Sequence, residues 1–152
     1  MKRFLSPAVW IIAWLAIDEE PLAILDALND CVDAYDGTRV GDYEARLDAL
    51  IARLRVRFAH EEETMAAHGY PGLLWRRDRH AGSLAALEDI RTACARKGYA
   101  DREDVVSHFD EVPADAAKAD LRFQSHLQDQ GRLTQADIDR VRSLFAETRG
   151  SR

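Results

Sequence analysis

Apolar residues recur along the chain at spacings of three and four, and no stretch alternates every second residue for long enough to read as a strand. This period predicts an all-α protein. A first helix is expected from about residue 19 to 35, with Leu22, Leu25, Leu28, Val32 and Tyr35 on one stripe and Asp36-Gly37 ending it. Pro21 fits its first turn, where a missing N–H costs little. A second helix, about 42 to 68, aligns Tyr43, Leu47, Leu50, Leu54, Phe58 and Met65, with Gly69 as its stop and Tyr70-Pro71-Gly72 as the turn. A third runs from about 73 to 97 with Leu84, Leu87, either Ile90 or Arg91, and Cys94 inward, and Gly98 as its cap.

The fourth segment, about 102 to 130, is interrupted by Pro113, which kinks or restarts the helix. Past it, Ala116, Asp120, Phe123 and Leu127 return to the helical spacing. After Gly131, Thr134 is placed to cap a fifth helix with Asp137 three residues on, and Ile138, Val141, Leu144 and Phe145 form its apolar stripe. Long helices joined by short loops predict an up-down four-helix bundle, residues 1–131, with an N-terminal arm and an extra C-terminal helix in 132–152. No internal repeat or low-complexity tract appears.

Composition narrows the class. A chain of 152 residues, 47% hydrophobic, is one domain's worth of sequence and can bury a core without disulfides. Its charge of −6 argues against nucleic acid and anionic membranes as partners, since both are polyanions. Two cysteines without metal-type spacing suit a reduced, cytoplasmic setting. Lys2 and Arg3 before the apolar run 8–17 imitate a signal peptide, but the run is too short to span a bilayer and leads straight into Asp18, Glu19 and Glu20. It reads instead as an arm packed through Trp10 and Trp14.

Against this regular pattern, several charged residues lie in register with the apolar stripes. Arg57 and Glu61 are i, i+4 neighbours in line with Leu50, Leu54 and Met65. Arg76 and His80 stand in the same relation, in line with Leu84 and Leu87, and Asp120 lies between Ala116 and Phe123. Three helices therefore aim ionisable groups at one level of the interior. Unpaired burial of such groups costs several kcal/mol each, so they require one another or a metal ion.

The residues Ile17-Asp18 with Leu22, Leu25 and Asn29, then Phe58-Ala-His-Glu61-Glu62-Glu-Thr-Met65, Gly69-Tyr70-Pro71, His80 and Asp120 make the chain, over roughly 12 to 127, resemble the bacterial hemerythrins. The resemblance implies a four-helix bundle that holds an oxygen-binding pair of irons through histidines, one bridging Glu and one bridging Asp. Both carboxylates have counterparts here, in Glu61 and Asp120. Most of the histidines do not: the family's ligand positions fall on Pro21, Arg57, Arg76 and Asp115, and His80 alone keeps its place. Arg57 and Arg76 bring two positive charges to a level where Glu61 and Asp120 bring two negative ones, so bidentate Arg–carboxylate pairs are expected in place of metal.

Two readings follow. One is a metal-free ionic network of Arg57, Glu61, Arg76, His80 and Asp120, with no cofactor, in a non-catalytic module that engages another protein. Ile138, Val141, Leu144 and Phe145 are its candidate docking face, unless that helix packs on its own bundle. The other is an iron- or oxygen-binding protein with a reduced site for one divalent metal built from Glu61, His80 and Asp120, with Asp115 and Glu20 as further donors. No nucleophile–base pair, phosphate loop or cofactor fingerprint points to an enzyme. His60 and His68 are expected in solvent, His126 to pair locally, and Glu62 and Glu63 to lie on a solvated acidic face, leaving Glu61 alone turned inward.

Overall fold

In a computed structural model the chain is an all-α bundle, described for residues 26–27, 29–31, 40–98, 120–140 and 143. No strand occurs among the described residues. Helix α1 spans Val40–Ala67 and α2 spans Leu73–Lys97. Residues 120–129 and 135–140 are helical too, as are 26–27 and 29–31. The first and fourth helices as read from the sequence fall largely outside the described residues. So do the N-terminal arm, Pro113 and the apolar positions Val141, Leu144 and Phe145.

The two long helices form where the apolar period is strongest. Along α1, Tyr43, Leu47, Leu50, Ile51 and Leu54 are buried at helical spacing, and they meet Leu87, Ile90 and Cys94 of α2 with Cys31 in one cluster. Each fully buried aliphatic side chain there is worth roughly 1.5 to 3 kcal/mol of transfer free energy. Exposed ion pairs from Arg55 to Glu88 and from Arg91 to Asp48 cross between the helices. Low-numbered residues of α1 thus lie beside high-numbered residues of α2, which makes the pair antiparallel. Both cysteines are free and buried. Burial, with Asp30 beside it, pushes the Cys31 thiol up to about 12, so it stays protonated at neutral pH.

Gly69 makes the reversal between the helices possible. Its φ of 61° lies in the left-handed region, and the turn closes through Tyr70 N–H to Met65 O at 2.9 Å and Gly69 N–H to Ala66 O at 3.0 Å. The same device recurs after residue 129, where Gly131 has φ 65° and Arg132 N–H reaches Leu127 O at 2.8 Å. Chain reversal there folds Leu133 and Ile138 back into the interior.

Residues 120–129 pack antiparallel to α2 at the turn end of the bundle. Phe123 and Leu127 are buried, and Tyr70 meets Phe123 edge-to-face at 5.2 Å. His126 Nε2 lies 3.0 Å from the His68 carbonyl oxygen, which also accepts from Gln130 Nε2 at 3.1 Å. A carbonyl only accepts, so His126 carries its proton on Nε2. His68 is accordingly half-buried rather than in solvent, and the partner of His126 is distant in sequence rather than local.

A buried ionic centre between three helical segments

Toward the turn end of the bundle the apolar stripes give way to charge. Arg57, Glu61, Arg76, His80 and Asp120 are each between 3% and 6% exposed. They come from one turn of α1, one turn of α2 and the first residue of the segment 120–129. The i, i+4 spacing within each long helix stacks two ionisable side chains on the inward face, and the antiparallel packing brings the two stacks together.

Arg57 Nε donates to Glu61 Oε1 at 2.9 Å. Arg76 Nη2 donates to Asp120 Oδ1 at 2.6 Å and to Glu61 Oε2 at 3.3 Å. A single nitrogen of Arg76 thus bridges carboxylates from two different helical segments. The bidentate fork expected from the sequence is not what Arg76 forms: its two acceptors sit on separate segments, and neither turns both oxygens toward the guanidinium. Among the described residues, the two guanidiniums stand against the carboxylates of Glu61 and Asp120 at this level. Burial alone would push the Glu61 carboxyl up, but His80, Arg76 and Arg57 together hold it below its ordinary range.

His80 is held on three sides. Its ring stacks on Phe58 with centroids 3.8 Å apart and planes within 4°. Nδ1 lies 2.9 Å from Glu62 Oε1, and Nε2 lies 3.2 Å from Glu61 Oε2, near enough for an ion pair but off the line of a hydrogen bond. Glu62 also accepts from Arg77 Nε at 3.2 Å. This corrects the expectation that Glu61 alone turns inward, because the Glu62 side chain is only 23% exposed and anchors the imidazole. Periodicity misses Glu62 because it lies beside the stripe rather than on it. The available signal is its position four residues after Phe58, which places both on the side of α1 that meets His80.

The five residues assigned from the sequence to an ionic network lie together at this level. Of the candidate metal donors, Glu61, His80 and Asp120 are among them, while Glu20 and Asp115 fall outside the described residues. Among the described residues no group of three or more His, Cys, Asp or Glu side chains is arranged to hold a metal ion. Guanidinium nitrogens occupy the space between the carboxylates instead.

The chain shares 34% identity over 80 residues with a bacteriohemerythrin of Ralstonia nicotianae, covering 53% of this chain and 56% of that protein. Over that stretch the chain is similar to this bacteriohemerythrin. It spans about half the length of the curated relative it matches. No protein-family model and no solved structure matches it.

One further sequence expectation needs correction. Ile138, offered as part of a docking face, is 2% exposed within the chain itself. Thr134 starts its segment as read: Thr134 N–H and Oγ1 donate to Asp137 Oδ2 at 2.9 and 2.7 Å, and Asp137 N–H returns a bond to Thr134 Oγ1 at 3.2 Å. The preceding reversal at Gly131 then turns Ile138 onto the bundle, so it is not free to meet a partner.

Proposed function

We propose that this hemerythrin-like chain works without a diiron centre, as a non-catalytic interaction or regulatory module of the cytoplasm whose interior is held by ion pairs. The observation that carries this reading is the Arg76 guanidinium shared between Glu61 and Asp120. The donor set does not fit a pair of irons. Two of the charged groups at the site are guanidiniums, which keep their protons and repel metal cations, and among the described residues a single imidazole lies near the two carboxylates. Each carboxylate already accepts from an arginine, so the centre is compensated from within.

No helix among the described residues is long and apolar enough to cross a membrane. The partner is taken to be another protein rather than nucleic acid, in keeping with the acidic charge. Metal analysis and a visible spectrum of protein expressed in iron-rich medium test the reading. The expected result is no stoichiometric iron and no ligand-to-metal absorption. Two irons per chain would overturn it, and one divalent ion per chain would replace it with the reduced single-metal site of Glu61, His80 and Asp120.

A further inference from the structure

We propose that Arg76 is the resident cation of this centre: it joins Glu61 to Asp120 and is the residue that shuts a divalent metal ion out. This rests on the metal-free reading above and assigns the exclusion to one side chain.

Three observations carry it. First, Arg76 Nη2 contacts acidic oxygens from two segments, at 2.6 Å on Asp120 and 3.3 Å on Glu61. A positive group bridging two carboxylates takes the place that a bridging metal cation would take. Second, His80 Nε2 approaches the same Glu61 Oε2 at 3.2 Å and makes no hydrogen bond of its own. Glu62 on Nδ1 and Phe58 against the ring fix that imidazole in place, the way outer groups orient a metal-ligating histidine. Two carboxylates thus meet one nitrogen of Arg76, and the His80 imidazole lies against one of them.

Third, the arginines are not equivalent. Arg57 Nε bonds Glu61 Oε1, the other oxygen of that carboxylate, from the same helix. Removing Arg76 takes one positive charge from between Glu61 and Asp120, which a bound cation would restore. Removing both arginines takes away two positive charges, which one divalent ion restores.

Titration with cobalt(II), read by visible absorption and thermal melting, tests this on the full chain. The wild type should show no new band and no shift in melting temperature. Arg76→Ala should take up one cobalt per chain, gain a d–d band and melt higher with cobalt than without. Adding Asp120→Asn to that variant should remove the band. Arg57→Ala/Arg76→Ala should bind more tightly than Arg76→Ala. Where Arg76→Ala folds only with cobalt present, that dependence supports the proposal. Arg76→Gln, which keeps a donor but not the charge, provides a second folded background. A folded Arg76→Ala or Arg76→Gln that takes up no cobalt overturns the proposal, as does uptake that Asp120→Asn leaves unchanged. Failure of both variants to fold even with cobalt also overturns it, because the metal should supply the missing charge. Cobalt bound by the wild type at these side chains would overturn the metal-free reading as well, whereas metal-free wild type and metal-free folded variants sink the Arg76 assignment alone.

Discussion

Arg76 and Asp120, 44 positions apart in sequence, meet at 2.6 Å in the interior and tie α2 to the segment 120–129. The same Arg76 nitrogen reaches Glu61 of α1, so one guanidinium joins three helical segments. Buried ion pairs of this kind contribute little net stability relative to well-packed apolar residues, but they make the loss of a single partner severe.

That asymmetry gives the first prediction. Arg57→Met leaves Glu61 short of a buried partner and should destabilise by about 3 to 5 kcal/mol. The double change Arg57→Met/Glu61→Met leaves Arg76 with Asp120 and should cost less than Arg57→Met alone. Denaturant titration of the two variants checks this, and strictly additive losses would contradict it.

Acid should weaken the fold through Glu61. Its folded carboxyl titrates below its ordinary value of 4.5, so the stabilisation is complete above that value and is lost as pH falls through the folded value. Urea midpoints measured from pH 7 down to pH 3 should fall most steeply at the acid end. Glu61→Gln should be less stable at pH 7 and lose less on acidification, and an unchanged acid slope in that variant would contradict the assignment.

Two glycines should respond to alanine with opposite signs. A Cβ on Gly72 would lie 2.6 to 2.8 Å from the Tyr70 ring, which is itself packed at 5.2 Å on Phe123 and 5.3 Å on His126. Gly72→Ala should therefore cost about 1 to 3 kcal/mol as an overpacked site. Gly82, inside α2, has nothing within 4 Å of its built Cβ, so Gly82→Ala should stabilise by up to about 1 kcal/mol through helix propensity. Thermal melts of the two variants against the parent read both signs directly.

Burial of Ile138 makes the start of the C-terminal segment part of the folded unit. Ile138→Ala should cost about 2 to 5 kcal/mol, in the range of large-to-small core changes. An exposed docking residue would instead change stability by less than about 0.5 kcal/mol. A chemical-denaturation midpoint distinguishes the two.

Much of this organisation was legible in residue order. The apolar period predicts the third helix at 73 to 97, where α2 is found, and the second at 42 to 68 against the observed Val40–Ala67. Helix formation and termination are local: apolar spacing selects the inward face, and Gly69 supplies the left-handed turn. Charged residues in register with leucines were therefore identifiable as inward-facing before any contact was known. The role of Glu62 was not, because its partner His80 is 18 residues away and Glu62 itself lies beside the apolar stripe of α1 rather than along it.

The amino-acid order by itself determined an all-α chain, the ends of its two long helices within about two residues and five of the ionisable groups aimed inward, since each follows from contacts within a few residues. Tertiary packing decided how those groups are shared. The relative offset and rotation of the helices give Arg76 two acceptors through one nitrogen, give His80 a second carboxylate in Glu62, and turn Ile138 onto its own bundle. Those outcomes depend on how whole helical faces fit together, and no local spacing along the chain carries that information.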